Sequence, residues 1–362
     1  MQKNFVFEAN MNSRDNFPLV VRPVALFGLN ATNEYASKVA LSIDKTLTPH
    51  TEKVFEDGEF YVKSGLDDDS GVGNVRGHMV FVIQSLYTDE HESVADKFLK
   101  LCMFCGSLKD ASAAEIVAVI PHLGWARQDR KTESRAPIMT KYVARMLESV
   151  GVNRCLLFDV HNLSAEQNAF NIPIDNLEGK NLFANWFAEQ LIKDKKTSNI
   201  KILSPDSSGL GRCTRFRDAL LKQLCEKGVD IDDIDIVVFD KVRQKGSVTG
   251  SRIIGDVTGA NVIAYDDMIS TGSTMAKSCI SVKEFGGEVY AICSTHGIFC
   301  GKANEVMRKI GCKIVVADTI RPFRLDSDNL KNLYVVDTTV MVGKAIDRIH
   351  SGIGSLSELL KI

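Results

Sequence analysis

No apolar run in this 362-residue sequence approaches the roughly 20 residues that a membrane-spanning helix needs, so a helical anchor is not expected. The opening residues, MQKNFVFEANMNSRDNF, hold no uninterrupted apolar core, and a signal peptide is not expected there either. An excess of one charge is also missing: 44 Lys and Arg stand against 46 Asp and Glu, a formal net charge of −2. That argues against a general nucleic-acid partner, which shows a basic excess, and leaves small anions open, because a local basic cluster acts alone. Cysteine pairs are scarce. The nine cysteines stand singly apart from Cys102 and Cys105, inside the helical-looking FLKLCMFCGSL. With no second pair and no histidine at ligand spacing, structural zinc is not expected, and reduced thiols in a cytoplasmic protein are the plain reading. Neither GxxxxGKS/T nor a GxGxxG beside a strand occurs, so the common nucleotide folds are not signalled.

What is present is ordinary globular composition, 44% apolar and 25% charged, in a chain long enough for two domains. Continuous apolar runs alternate with helical patterns: HMVFVIQS before ESVADKFLKLCMFCGSL, then AEIVAVIPH before IMTKYVARMLESVG, then RCLLFDVH. NIKILSPD, IDIVVFDK, NVIAYDD and EVYAICSTHG follow. Apolar strands separated by helices predict an α/β fold with parallel sheets covered on both faces. Two similar domains are expected, divided near residue 165. In such sheets ligands gather at the carboxyl ends of strands, where the polar residues Gln84, Ser85, His122, Asp159, His161, Asp206, Asp240, Lys241, Asp266 and Asp267 are found.

The densest of these exits is NVIAYDDMISTGSTM, residues 261–275. Ser270, Thr271, Gly272, Ser273 and Thr274 offer backbone N–H groups, hydroxyls and a permissive glycine leading into a helix, the parts of an anion site. Asp266 and Asp267 would repel that anion but suit a vicinal diol or a substrate-borne Mg²⁺. Anion beside diol describes a ribose 5-phosphate group; a capped, hydroxyl-rich turn accounts for the same residues. GWARQDRKTESR concentrates Arg127, Gln128, Arg130, Lys131 and Arg135 after a strand, a clamp for polyphosphate or a solvated loop. FDKVRQKGSVTGS alternates Lys241, Arg243 and Lys245, a closing loop or an exposed hairpin. His161 and Asp206 together can hold a phosphate-bridging metal; separately each reads as a hydrogen-bonded polar residue.

In their order these segments resemble the ribose-phosphate pyrophosphokinases, over nearly the whole chain. FEDGEF (55–60), VIPHLGWARQDRK (119–131), FDVHN (158–162), SPDSSG (204–209), DKVR (240–243), YDDMISTGST (265–274), STHGIFCGKA and the terminal KAIDRIHSGIGSLSELL carry the resemblance. It implies two domains of the type I phosphoribosyltransferase kind (1–165 and 166–344), with the terminal helix (345–362) packing back on the first. It also implies Mg²⁺-dependent transfer of pyrophosphate from ATP to the C1 hydroxyl of ribose 5-phosphate, releasing AMP. In that reading Lys241 and Arg243 are catalytic, and Arg127, Gln128, Arg130, Lys131 and His161 hold ATP. His161 and Asp206 meet the metal, while Asp266, Asp267 and Ser270 to Thr274 bind the ribose phosphate. Phe55, Asp57 and Glu59 would frame the adenine from a neighbouring subunit, implying homo-oligomers such as dimers or hexamers.

The sequence also departs from the family. Its phosphate loop usually reads DTGGT or DTAGT, and here an acid has become Ser270 while Ser273 adds a side chain. NLSAEQNAFNIP is about one residue longer than usual and lacks QGFF, and DSSGLGR replaces paired glycines. Loss of a charge beside the phosphate eases entry of a larger or more anionic acceptor, so ADP-ribose, yielding ADP-ribose pyrophosphate for NAD⁺ resynthesis, stands as an alternative. A catalytically silent regulatory subunit is a second alternative.

Overall fold

The computed structural model describes residues 22–66, 73–244 and 247–360, and between 241 and 251 the backbone alone. In chain order the first half runs β1 (Val24–Gly28), α1 (Asn33–Leu41), β2 (His50–Val54), β3 (Phe60–Ser64), β4 (Met79–Ile83) and α2 (Val94–Asp110). β5 (Glu115–Ile120), α3 (Met139–Ser149), β6 (Arg154–Phe158), α4 (Leu163–Ala169) and β7 (Ile174–Leu177) complete it. The second half opens with α5 (Lys180–Lys193), β8 (Ile200–Ser204), α6 (Leu210–Glu226), β9 (Asp235–Gln244), β10 (Ser247–Ile254) and β11 (Asn261–Ile269). It continues through α7 (Ser273–Glu284), β12 (Glu288–Gly297), α8 (Ala303–Ile310), β13 (Lys313–Ala317), α9 (Ser327–Leu330) and β14 (Leu333–Val336). The chain closes with α10 (Thr339–Ser351) and α11 (Leu356–Leu359).

The fold is α/β with two sheets. The first, ordered β1-β4-β5-β6-β7, is parallel throughout. The second, β10-β9-β8-β11-β12-β13-β14, is parallel except for its edge strand β10, antiparallel to β9. β7 pairs with β6, so the first sheet extends past residue 165, where the sequence pattern divides the chain. The short, half-polar IDNL of β7 gives no apolar run by which to recognise an edge strand. β2 and β3 form a separate two-stranded hairpin.

Period-two alternation gives each sheet two cores. On the first, Phe27, Val80, Val82 and Ile116 face α2 and α3, while Leu26, Phe81, Val117 and Leu156 face α1 and α10. Clusters around Phe187, Phe216 and Tyr265 and around Val262, Ile292 and Val316 cover the faces of the second. α2 begins with a capping box, Ser93 with Asp96, and carries the buried Cys102 and Cys105 as free thiols. Among the described residues no helix is long and apolar enough to cross a membrane.

The last helices return to the first sheet: Met341, Val342, Ala345, Ile346 and Leu359 lie in the cluster with Leu26 and Tyr35. α10 crosses α1 at Gly343, where an added Cβ would stand 2.1 Å from Ser42 Oγ and 3.1 Å from the Val39 carbonyl. Gly343→Val should therefore overpack this crossing and cost about 1–3 kcal/mol, read as a lowered Tm. An unchanged Tm would show that the crossing is loose.

Candidate active site

The acid pair sits inside a strand, not at its end. β11 pairs with β8 only from Asn261 to Ala264 but with β12 as far as Ile269. Beyond Ala264 one edge of β11 is therefore free of β8, and side chains from elsewhere reach Asp266 and Asp267 there. His161, just after β6, brings Nδ1 to 2.6 Å from Asp267 Oδ2. Arg212, in the first turn of α6, donates from Nη1 to Asp266 Oδ1 at 3.0 Å and stands 3.4 Å from Asp267 Oδ1. Its Nη2 donates to the His161 carbonyl at 3.3 Å. One guanidinium thus joins the first domain's β6 exit to the second domain's acids.

The charges follow from this geometry. Burial and the neighbouring Asp267 charge push Asp266 up to about 8. Burial opposes ionisation of Asp267 too, but the His161 hydrogen bond and the Arg212 charge outweigh it and hold that carboxyl well below the usual range. The same hydrogen bond raises His161. Asp266 and His161 both bind a proton more tightly folded than unfolded. Each contributes stability that is fully present below its unfolded value, about 3.9 or about 6.5, and is lost as pH rises through the folded value. Glu166, pushed up to about 7 by burial in α4, acts in the same direction. The buried, lowered His122 and His296 pull the other way up to their unfolded value of about 6.5, so Tm of the ligand-free protein should fall as pH rises from about 7.5 to about 9, less steeply in Asp266→Asn. A rising Tm would overturn the assignment.

The loop after β11 is the segment expected to hold an anion. Gly272 takes φ 73° directly before α7, where the positive end of the helix dipole favours an anion, and the Ser273 amide leans on Thr271 Oγ1 at 3.4 Å. Thr271 Oγ1 and Ser273 Oγ lie 3.0 Å apart. At the β8 exit Asp206 folds its own loop, its Oδ1 accepting from the amides of Ser208 and Gly209 and from Ser208 Oγ. Asn162 ties the basic loop to the β6 exit by donating to Asp129 Oδ2 at 2.7 Å.

The domain contact beside the site is neutral. His296 Nε2 donates to the carbonyls of Phe158 (3.2 Å) and Asp159 (3.3 Å), and Thr319 donates to its Nδ1. Burial pushes its ring down to about 4. His122 lies 4.5 Å away, ring to ring, and burial lowers it as well.

Arg127, Arg130, His161, Asp206, Arg212, both acids and Ser270 to Thr274 line one cavity of about 540 Å³. A second, of about 700 Å³, adjoins it at Arg127, Met268 and Ser270 and is walled by Tyr87, His122, Trp125 and Gln128. Lys131, Phe55, Asp57 and Glu59 line neither cavity. The last three form the exposed tip of the β2–β3 hairpin, where Glu59 N donates to Asp57 Oδ1. The side chains of Lys241 and Arg243 lie outside the described residues; their backbones pair with Ser251 and Val248 of β10. Arg212 and Asp129 were not singled out from the sequence. A cation in a helix's first turn opposes the dipole, and that placement is the signal that could have marked Arg212 as answering nearby acids.

The donor set suits Mg²⁺ arriving on a phosphate. Asp206 offers a carboxylate in this cavity, and Mg²⁺ is commonly held by one or two carboxylates plus substrate phosphates. Among the described residues no group of three such ligands stands together.

A family model described as the N-terminal domain of ribose phosphate pyrophosphokinase matches residues 24–151, and one described as the phosphoribosyl synthetase-associated domain matches 226–361. A ribose-phosphate pyrophosphokinase of Hyphomonas neptunium is 36% identical over 326 residues, covering 90% of this chain and 96% of the relative. Ribose-phosphate pyrophosphokinase 1 of Lactococcus lactis is 36% identical over 90% of this chain and 92% of its own length. The crystal structure of phosphoribosylpyrophosphate synthetase from Mycobacterium smegmatis superposes with a TM-score of 0.78 at 26% identity, covering 91% of this chain and 99% of that one.

Proposed function

The chain belongs to the ribose-phosphate pyrophosphokinase family of enzymes, and from that premise we propose that it transfers pyrophosphate from Mg-ATP to the C1 hydroxyl of ribose 5-phosphate, releasing AMP. The observation that carries this reading is a shared cavity: the acid pair, the 270–274 loop and the basic loop of Arg127 and Arg130 all line it. The 5-phosphate would rest on the amides that open α7, while Asp266 and Asp267 accept from the 2- and 3-hydroxyls. That fixes the sugar with C1 toward the basic loop, where Arg127 and Arg130 hold the donor's phosphates by charge-assisted hydrogen bonds, with Lys131 as a further charge. Bound Mg²⁺ would neutralise phosphate charge, with Asp206 and His161 as its nearest protein groups. Phosphoryl transfer asks mainly for positioning and charge stabilisation; Lys241 and Arg243 on the β9–β10 hairpin are the proposed source of the latter. Phe55, Asp57 and Glu59 would serve the adenine of a neighbouring subunit. They line neither cavity of their own chain, and Phe55 is 53% exposed, which supports that role.

A second acceptor is favoured by one specific observation. The uncharged Ser270 lies at the junction of the two cavities, so a phosphate that carries a further group, as in ADP-ribose, has a space beside it walled by Tyr87 and Trp125. Incubation with Mg-ATP and either ribose 5-phosphate or ADP-ribose, with products identified by mass, decides between them. Phosphoribosyl pyrophosphate alone would establish ribose 5-phosphate as acceptor; pyrophosphorylated ADP-ribose with little turnover of ribose 5-phosphate would establish the larger one. AMP release with neither would overturn both.

A further inference from the structure

Away from the acid pair, a third cavity of about 430 Å³ opens between the carboxyl ends of β1 and β13. It shares no lining residue with the cavity that holds Asp266 and Asp267. One wall is the turn from Asn30 into α1, the other the segment from Asp318 to Phe323. The walls are stitched together across the domains. Ser85 Oγ donates to the Thr319 carbonyl at 2.5 Å, and the Tyr87 hydroxyl donates to the Arg321 carbonyl.

The charge of this cavity is settled by which groups are already paired. Glu34 is engaged by Lys38 at 2.8 Å. Asp318 is buried, its Oδ1 accepts from both the amide and the hydroxyl of Thr338, and burial holds its carboxyl above the ordinary range. Arg321 acts on both acids by its charge and its guanidinium lies 5.2 Å from the Phe323 ring, but its Nε is buried without a hydrogen-bond partner among the described residues. Buried polar groups are nearly always satisfied, and guanidinium matches planar oxyanions with two parallel bonds. The first turn of α1 adds to the same field, because Thr32 Oγ1 accepts from Ser85 N and does not cap its own helix.

We propose that this cavity is a second oxyanion site, anchored by Arg321, which takes the phosphate or carboxylate group of a small molecule at the domain junction. Because its walls belong to both domains, occupancy holds β1 and β13 at one spacing and so acts on the acid-pair cavity from outside it. The site does not depend on which acceptor the enzyme uses, or on the reaction proposed above.

The test uses selenate as a locatable probe. Crystals of the protein soaked in selenate should show anomalous density within hydrogen-bond reach of Arg321, separate from any at residues 271–274, and Arg321→Gln should remove only the former. In solution, inorganic phosphate should raise the Tm of the wild type more than that of Arg321→Gln, the remaining shift coming from the 271–274 loop. Succinate titrated in the same way tells carboxylate from phosphate by which of them gives the Arg321-dependent part. Arg321→Lys, which keeps the charge but loses the fork, should be intermediate and guards against a variant that fails to fold. Absence of selenate at Arg321, or density that survives the substitution, would overturn the proposal. So would density without any Arg321-dependent solution shift, which means binding at crystal concentration only.

Discussion

Asp267→Asn should lower kcat/KM for the acceptor by on the order of 10²–10⁴ while changing the donor's KM less than tenfold. Asp267 is 2% exposed, accepts from His161 at 2.6 Å and faces Arg212 at 3.4 Å. An asparagine can still accept from His161 through its carbonyl, but its amide N–H₂ then points at the guanidinium, donor against donor. The proposed sugar hydroxyl also loses a charged acceptor, a bond of about 1.5–3 kcal/mol. Displacement of Arg212, which Asp266 shares, brings the total to roughly 3–5 kcal/mol, and each 1.36 kcal/mol is tenfold in rate. Breaking a buried ion pair also costs stability, so kinetics are measured well below the variant's own Tm. A kcat/KM for the acceptor within tenfold of wild type would remove Asp267 from acceptor binding.

Lys241→Ala should slow AMP release by roughly 10³ or more, with both KM values little changed; Arg243→Ala should do likewise. Well-placed cations in phosphoryl transfer are worth roughly 10³–10⁵, and a charge that acts on the transition state appears in kcat more than in KM. Both residues lie on β9, in the hairpin that it forms with β10 at the edge of the second sheet. If Lys241→Ala turns over at the wild-type rate, the lysine is not catalytic. If the wild type releases no AMP with any acceptor, the silent-subunit alternative is the better one.

The α/β class and the strand exits were readable because each rests on local pattern. MVFVI and EIVAVI are apolar runs long enough for a buried strand and are bounded by polar residues. Their carboxyl ends point to sites whatever the strand order. Arg127, Arg130, His161, Asp206 and the 266–274 segment were accordingly named in advance, and they line one cavity. Local pattern misled at β11, where the apolar run ends at Tyr265 but pairing to β12 carries the strand to Ile269. It was also too weak to show β7 as part of the first sheet.

From the sequence alone came the elements, their alternation and the chemistry offered at each exit, since all of these depend on neighbours a few residues apart. The tertiary structure alone decided which exits meet. Arg212 reaches Asp266 across 54 positions and His161 reaches Asp267 across 106; whether such groups touch depends on strand order and on how one sheet faces the other. Those are settled by burial of whole faces, a non-local balance that no short segment encodes. The protonation states follow the same division: Asp266 and Asp267 are adjacent and chemically identical. Burial and the Asp267 charge hold Asp266 up, while one imidazole and one guanidinium placed against Asp267 hold it down.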